Sequence, residues 1–327
     1  MSRISELAGN RNRAGSGVFV TGRKAQRGWF LKERKRVHLL ALGDVGSTLL
    51  LGLRLLGAGS IDRIGIADVR PMVAERFEFE MNQIAAPDGR ELPEVVILRE
   101  EEWFDCDAFL FCASKGVPDL SHQGDVRMAQ LEANAGLVSD TAKGAVKAGF
   151  QGLFCVVSDP MDPLCMYAAA AGLDPDNVKG FGLGVMNARA AYFAAKDPRF
   201  SAYAAEGRAY GPHGEDLVIA NSVAHYDDAL SKELTGLTVK ANVKMRSWGF
   251  KPYIAPAISS GAFSVIAAVT GEWHYSSVNM NGVYMGCRNR ITRSGIEIED
   301  PALPEELFER IRHAYENLEK LKPGPVF

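Results

Sequence analysis

The chain has 327 residues, 47% of them hydrophobic and 24% charged, with a formal net charge of −3. A chain this long buries roughly 75% of its unfolded surface, suggests about two domains and needs no staples. The composition excludes a collagen, a disordered tail protein and a disulfide scaffold. Cys106, Cys112, Cys155, Cys165 and Cys287 make an odd count with no CxxC pair. They read as reduced thiols of a cytoplasmic protein, with no metal spacing among them. The apolar stretch over residues 37–56 is interrupted by His38, Asp44 and Arg54, so it is no membrane span. No apolar core followed by a cleavage site opens the chain, so no secretory signal is expected.

Residues 1–36 hold ten Lys/Arg against Glu6 and Glu33, a net +8 that leaves −11 for the remainder. Such a segment attracts phosphates. It carries no nucleic-acid motif and few aromatics, which argues against a nucleic-acid partner. The expected form is a solvated arm packed on a neighbouring subunit. Within it, Val18–Phe19–Val20 and Trp29–Phe30–Leu31 flank a polar stretch and predict a short hairpin.

Strands and helices then alternate. Strands are predicted over residues 36–42, 63–67, 94–98, 108–112 and 153–157, and helices over 45–56, 72–82 and 126–148. This order implies an α/β fold with a Rossmann-type doubly wound parallel sheet. Beyond Asp159–Pro160 the pattern becomes mixed, with long loops, β-rich stretches and an amphipathic helix over 304–321. The expected organisation is therefore a basic arm (1–36), a nucleotide-binding domain (37–160) and an α+β catalytic domain (161–327).

The first chemical signal is Ala41-x-Gly43-x-x-Gly46, between a strand and a helix. Small residues there permit a tight turn, backbone approach to a pyrophosphate and close helix packing. The backbone of Gly43, Asp44, Val45 and Gly46 would offer N–H groups at the positive end of a helix. Ala41 stands where the fingerprint has its first glycine. Asp68 ends the second strand, 22 positions after Gly46, where a carboxylate would bind a ribose 2′-hydroxyl. It would repel a 2′-phosphate, which favours NAD over NADP, although Arg70 lies nearby.

A dispersed set of residues carries the second signal. Val156–Val157–Ser158–Asp159–Pro160–Met161–Asp162 resembles the strand-end segment of the L-lactate/malate dehydrogenase family. Asn187–Ala188–Arg189 is similar to its substrate-arginine helix. Gly211–Pro212–His213–Gly214–Glu215 resembles its catalytic-histidine loop, and Arg127 with Asn134 its catalytic-arginine helix. The ordered resemblance runs from residue 37 to 321, nearly the whole chain beyond the arm. It implies interconversion of a 2-hydroxy acid and a 2-oxo acid by hydride transfer with NAD, in a homodimer or homotetramer. By the same resemblance His213 is the acid/base and Arg127 polarises the carbonyl. Arg189 would grip the substrate carboxylate with a bidentate, charge-assisted pair. Asn134, Leu120 and Ser121 fall among the substrate contacts, and Ser158 and Asp159 between nicotinamide and substrate. Asp162 followed by Pro163 reads as a helix cap.

Two departures from that family bear on function. Met186 stands where an aspartate usually orients the histidine, and Asp159 stands where an asparagine is usual. The pair suggests a relocated carboxylate, with Asp159 orienting His213; Asn187 and Glu215 are the other candidates. The loop over residues 115–124 contains no arginine, which argues against a second substrate carboxylate and hence against malate. Leu120 suits a larger or less polar 2-oxo acid than pyruvate. Loss of the usual aspartate also permits an alternative, a catalytically degenerate NAD-binding protein with a sensing or assembly role.

Overall fold

The computed structural model describes residues 2–9, 17–22, 32–115 and 126–324, the side chains of residues 126–128 excepted. In chain order the elements begin with β1 (Val18–Thr21), β2 (Lys35–Leu40), α1 (Asp44–Leu56), β3 (Ile61–Ala67), α2 (Pro71–Asn82) and β4 (Glu94–Ile97). Then come β5 (Ala108–Phe111), α3 (Val126–Lys147), β6 (Leu153–Val156), α4 (Met161–Ala170), β7 (Val178–Gly180), α5 (Leu183–Ala194) and α6 (Tyr203–Glu206). The remainder comprises β8 (Arg208–Tyr210), β9 (Val218–Ala220), α7 (Asp228–Ser247), a π-helical turn (Pro256–Phe263), α8 (Ser264–Thr270), β10 (His274–Met280), β11 (Val283–Thr292), β12 (Gly295–Glu299) and α9 (Glu305–Glu319).

Among the described residues ten strands form one sheet in the order β1-β12-β11-β10-β7-β6-β5-β2-β3-β4. The six from β7 to β4 are parallel. β5, β6 and β7 are buried along their whole length, as in strands covered by helices on each side, while the edge strand β4 leaves Glu94 and Ile97 exposed. From β2 the chain moves out to β3 and β4, then returns to β5 on the other side of β2. That reversal opens a crevice beyond the carboxyl ends of β2 and β5, where doubly wound sheets bind ligands. The sheet continues past Asp159 without a break. β7 extends the parallel set, and β10 pairs antiparallel with β7 at Ser277–Gly180.

The basic amino-terminal segment departs from expectation in its described parts. β1 pairs with β12, Val18 opposite Glu299 and Thr21 opposite Ile296. Ser2 bridges Leu303, and Ile4 and Phe19 are buried in the core. These apolar anchors hold residues 2–9 and 17–22 on the chain's own sheet, not in a solvated arm. The other half of the predicted hairpin, Trp29–Phe30–Leu31, lies outside the described residues.

Helix α9 closes the second half. Leu307, Phe308, Ile311, Ala314, Tyr315 and Leu318 repeat at helical spacing and are buried, while charged residues face outward. Beside it, β8 and β9 form a small antiparallel pair, and Gly211 bridges Gly286 of β11. That bridge carries the loop after β8 to the same edge of the molecule as the crevice loops.

Candidate active site

Among the described residues, the turn after β2, the residues directly after β5, β6 and β7, and the loop after β8 contribute to the crevice. The β2–α1 turn is shaped by backbone. Ala41 has φ 77°, left-handed and strained for a residue with a Cβ. A Cβ on Gly46 would lie 2.0 Å from the Ala41 carbonyl oxygen, so only glycine fits there. At Gly43 a Cβ would meet nothing within 4 Å, so this stretch of backbone is open to approach. Gly43 is the N-cap of α1 and has no side chain to cap it. The first-turn amides of Asp44, Val45 and Gly46 therefore suit an outside anion. The Asp44 carboxylate has Lys251 Nζ at 3.2 Å.

Asp68 follows β3 and braces this turn. Leu42 N–H donates to its Oδ2 at 2.8 Å, and the Arg70 backbone N–H and Nε donate to Oδ1 at 3.0 and 3.1 Å. Burial alone would raise this carboxyl, but the Arg70 and Leu42 hydrogen bonds outweigh it and hold it below the usual range. Arg70 is thus engaged with Asp68.

After β5 and β6, Asn134 acts as a bracket. It is fully buried, and its Nδ2 donates to the Asp159 carbonyl at 3.0 Å and to Ser114 Oγ at 3.3 Å. Its Oδ1 accepts from Lys115 N–H at 2.9 Å. The Asn134 amide thus faces protein groups and ties two strand ends together. Ser158 Oγ donates to the Ala113 carbonyl at 2.7 Å and joins the same two strand ends.

His213 comes from the loop after β8. Its Nδ1 lies 3.1 Å from Asp159 Oδ1. A carboxylate only accepts, so Nδ1 carries the proton and Nε2 is the nitrogen left for chemistry. The His213 side chain is 10% exposed and that of Asp159 49%, so the pair sits at the rim of the crevice. Of the alternative orienting groups, Asn187 Oδ1 accepts instead from Tyr203 at 2.9 Å. Glu215 lines a separate cleft with residues of α7 and α9.

The backbone beneath His213 is fixed by Asp162. Its Oδ2 accepts the His213 backbone N–H at 3.2 Å, and its Oδ1 accepts the Ser277 hydroxyl. The cap reading of Asp162 is therefore corrected: Pro160 is the N-cap of α4, and Asp162 lies inside the helix. Burial pushes its carboxyl up to about 6, against the opposing pull of the Ser277 and His213 hydrogen bonds. Gly182, just past β7, lets the loop settle. A Cβ there would lie 1.7 Å from Met161 Sδ and 3.0 Å from His213 Cβ.

Arg189 projects from α5. Its Nη2 donates to Asn242 Oδ1 at 2.6 Å, and Nη1 lies 3.4 Å from Met186 Sδ. Among the described residues no carboxylate forms an ion pair with it. Burial lowers its pKa, and the Asp159 charge opposes that. A desolvated guanidinium with neutral partners is a receptor for an anion. Leu120 and Ser121 lie outside the described residues, as does the side chain of Arg127, whose backbone begins α3. Asp162, Gly182, Asn242 and Ser277 were not assigned to the site by sequence. The available signals were an acid in an otherwise apolar helix and a glycine directly after a strand.

No family model matches the chain. An L-lactate dehydrogenase of Staphylococcus epidermidis is 27% identical over 216 residues, 64% of this chain and 65% of that protein, just under two thirds of its length. One from Staphylococcus haemolyticus is 22% identical over 304 residues, 86% of this chain and 93% of the relative. The chain resembles the L-lactate/malate dehydrogenase family. Its fold is theirs. A lactate dehydrogenase from a Medee basin deep-sea metagenome superposes with TM-score 0.74 at 19% identity, covering 89% of this chain and 98% of that one. A malate dehydrogenase of Archaeoglobus fulgidus in complex with NADH gives 0.71 at 21% identity, covering 88% and 98%. These neighbours show the fold: a Rossmann-type sheet followed by an α+β region.

Proposed function

We propose that the protein is an NAD-dependent 2-hydroxy acid dehydrogenase. The observation that carries this reading is the His213–Asp159 contact of 3.1 Å in a crevice that also holds Arg189, which has no ion-paired carboxylate among the described residues. Residues 37–160 take the dinucleotide, and residues 161–327 supply most groups for the acid. The open Gly43 backbone and the uncapped start of α1 fit a pyrophosphate, and Asp68, directly after β3, is the candidate for a ribose hydroxyl. NAD supplies the hydride site when bound.

The protein's own residues do the rest. Arg189 holds the substrate carboxylate and so aims the neighbouring carbon. Protonated His213 gives its Nε2 proton to the carbonyl oxygen during reduction, and takes it back from the hydroxyl during oxidation. Asp159 fixes the tautomer and stabilises the imidazolium form. Arg127 polarises the carbonyl. The substrate is a monocarboxylic 2-oxo acid, because no arginine over residues 115–124 offers a site for a second carboxylate.

Among the described residues no helix is long and apolar enough to cross a membrane. The working form is a cytoplasmic homo-oligomer, dimer or tetramer. Leu55, Leu56, Met72 and Phe79 on α1 and α2 are 42–72% exposed, an apolar load suited to a subunit contact. Light scattering on the purified chain tests this, and a monomer at working concentration overturns it.

The activity is tested by NADH oxidation over a graded panel of 2-oxo acids, with His213→Asn as control. Turnover of a monocarboxylic member is expected, with a loss of about 10³–10⁴ in the control. NADH binding without turnover of any member would move the chain to the degenerate alternative.

A further inference from the structure

We propose that Asn242 is a positioning residue for the carboxylate anchor Arg189, holding the guanidinium without cancelling its charge; this rests on the dehydrogenase reading above. Arg189 lies on α5 and Asn242 on α7, 53 residues later. The atom 2.6 Å from Nη2 is Oδ1, an assignment required by chemistry because a guanidinium only donates. Met186 Sδ, 3.4 Å from Nη1, is a weak acceptor and orients the group poorly. The amide of Asn242 is therefore the stronger of the two contacts that hold the guanidinium.

A neutral acceptor has a consequence that a carboxylate would not. An aspartate at this position would form a resident ion pair, and an incoming carboxylate would have to compete with it. With Asn242 the cation stays available. The side chain thus sets affinity for the acid and leaves the hydride and proton transfers to other groups. It also ties the anchor to α7, an element remote in sequence from the other residues of the crevice.

The test uses the full chain with saturating NADH and the best 2-oxo acid of the panel. Asn242→Asp keeps the shape and adds a charge. It is expected to raise KM for the oxo acid by about tenfold or more, with kcat within about threefold. Asn242→Ala, which frees the guanidinium without neutralising it, is expected to raise KM by less. A merely structural role would not rank the variants by charge. If Asn242→Asp does not fold, the KM of Asn242→Ala decides alone, a rise supporting the role. Wild-type KM in the variants, or a fall confined to kcat, overturns it. If the wild type turns over no oxo acid, the dehydrogenase reading fails separately. Calorimetry with oxamate, with and without NADH, then reads the anchor directly. Binding weakened about tenfold in Asn242→Asp supports the positioning role. Equal binding, or none to the wild type, overturns it.

Discussion

The turn after β2 and the cluster around His213 lie at one crevice but are built differently. The turn is contiguous: Ala41 to Gly46 form it, and Asp68 braces it from the next strand. Its chemistry is that of backbone amides. The cluster draws on the connection after β6, α4, the β8–β9 loop, α5, α7 and β10, through Asp159, Asp162, His213, Arg189, Asn242 and Ser277. Its chemistry is that of charged side chains whose neighbours set their charge and direction. The turn depends on the bare backbone at Gly46, whereas the cluster depends on the charge of its side chains as well as on the missing Cβ at Gly182.

That contrast can be broken by substitution. Asp159→Asn keeps the shape and removes the charge behind His213. We expect kcat for oxo-acid reduction to fall by about 10²–10³ with the alkaline limb of the pH profile displaced to lower pH, because reduction uses protonated His213, while NADH affinity is unchanged. Unaltered turnover and an unaltered profile would sink the relocated carboxylate. On the other side, Gly46→Ala forces a Cβ towards the Ala41 carbonyl, 2.0 Å away. It should cost about 3 kcal/mol of stability and weaken NADH binding, seen in denaturation curves and fluorescence titration. An NADH affinity within error of wild type would show that the turn does not hold the dinucleotide.

Asp162 sharpens the comparison through pH. Its carboxyl is pushed up to about 6 from 3.8, so the folded state keeps a proton that the unfolded chain releases. Stability from this group is therefore greatest below about pH 4 and falls as pH rises to about 6, by roughly 3 kcal/mol. Asp162→Asn should flatten that window relative to wild type. Its amide can still accept from His213 N–H and donate to Ser277. Parallel pH curves for the two proteins would show that Asp162 does not titrate there. The smallest expected effect is at Ala41, where φ is 77°. Ala41→Gly relieves the left-handed strain, partly offset by greater freedom of the unfolded chain, for a gain of about 0.5–1 kcal/mol. A loss of stability in denaturant melts would contradict the strain.

The sequence by itself determined the alternation of strands and helices, the glycine turn with its acid after the next strand, and the apolar face of α9. These depend on periodicities of two and 3.6 and on the steric demands of glycine, which act between near neighbours in the chain. It also supplied His213 and Arg189 as candidates through the ordered family resemblance, and Asp159 as the orienting carboxylate because Met186 and Asp159 depart together from that pattern. Only the tertiary structure decided how those candidates are used. It faced Asn134 inward as a bracket and put Asp162 under the His213 backbone. It also folded residues 2–9 and 17–22 onto the sheet and brought Asn242 to Arg189. Such pairings join positions tens of residues apart, such as 162 with 277 and 189 with 242. They follow from strand order and helix packing, and no local spacing encodes them.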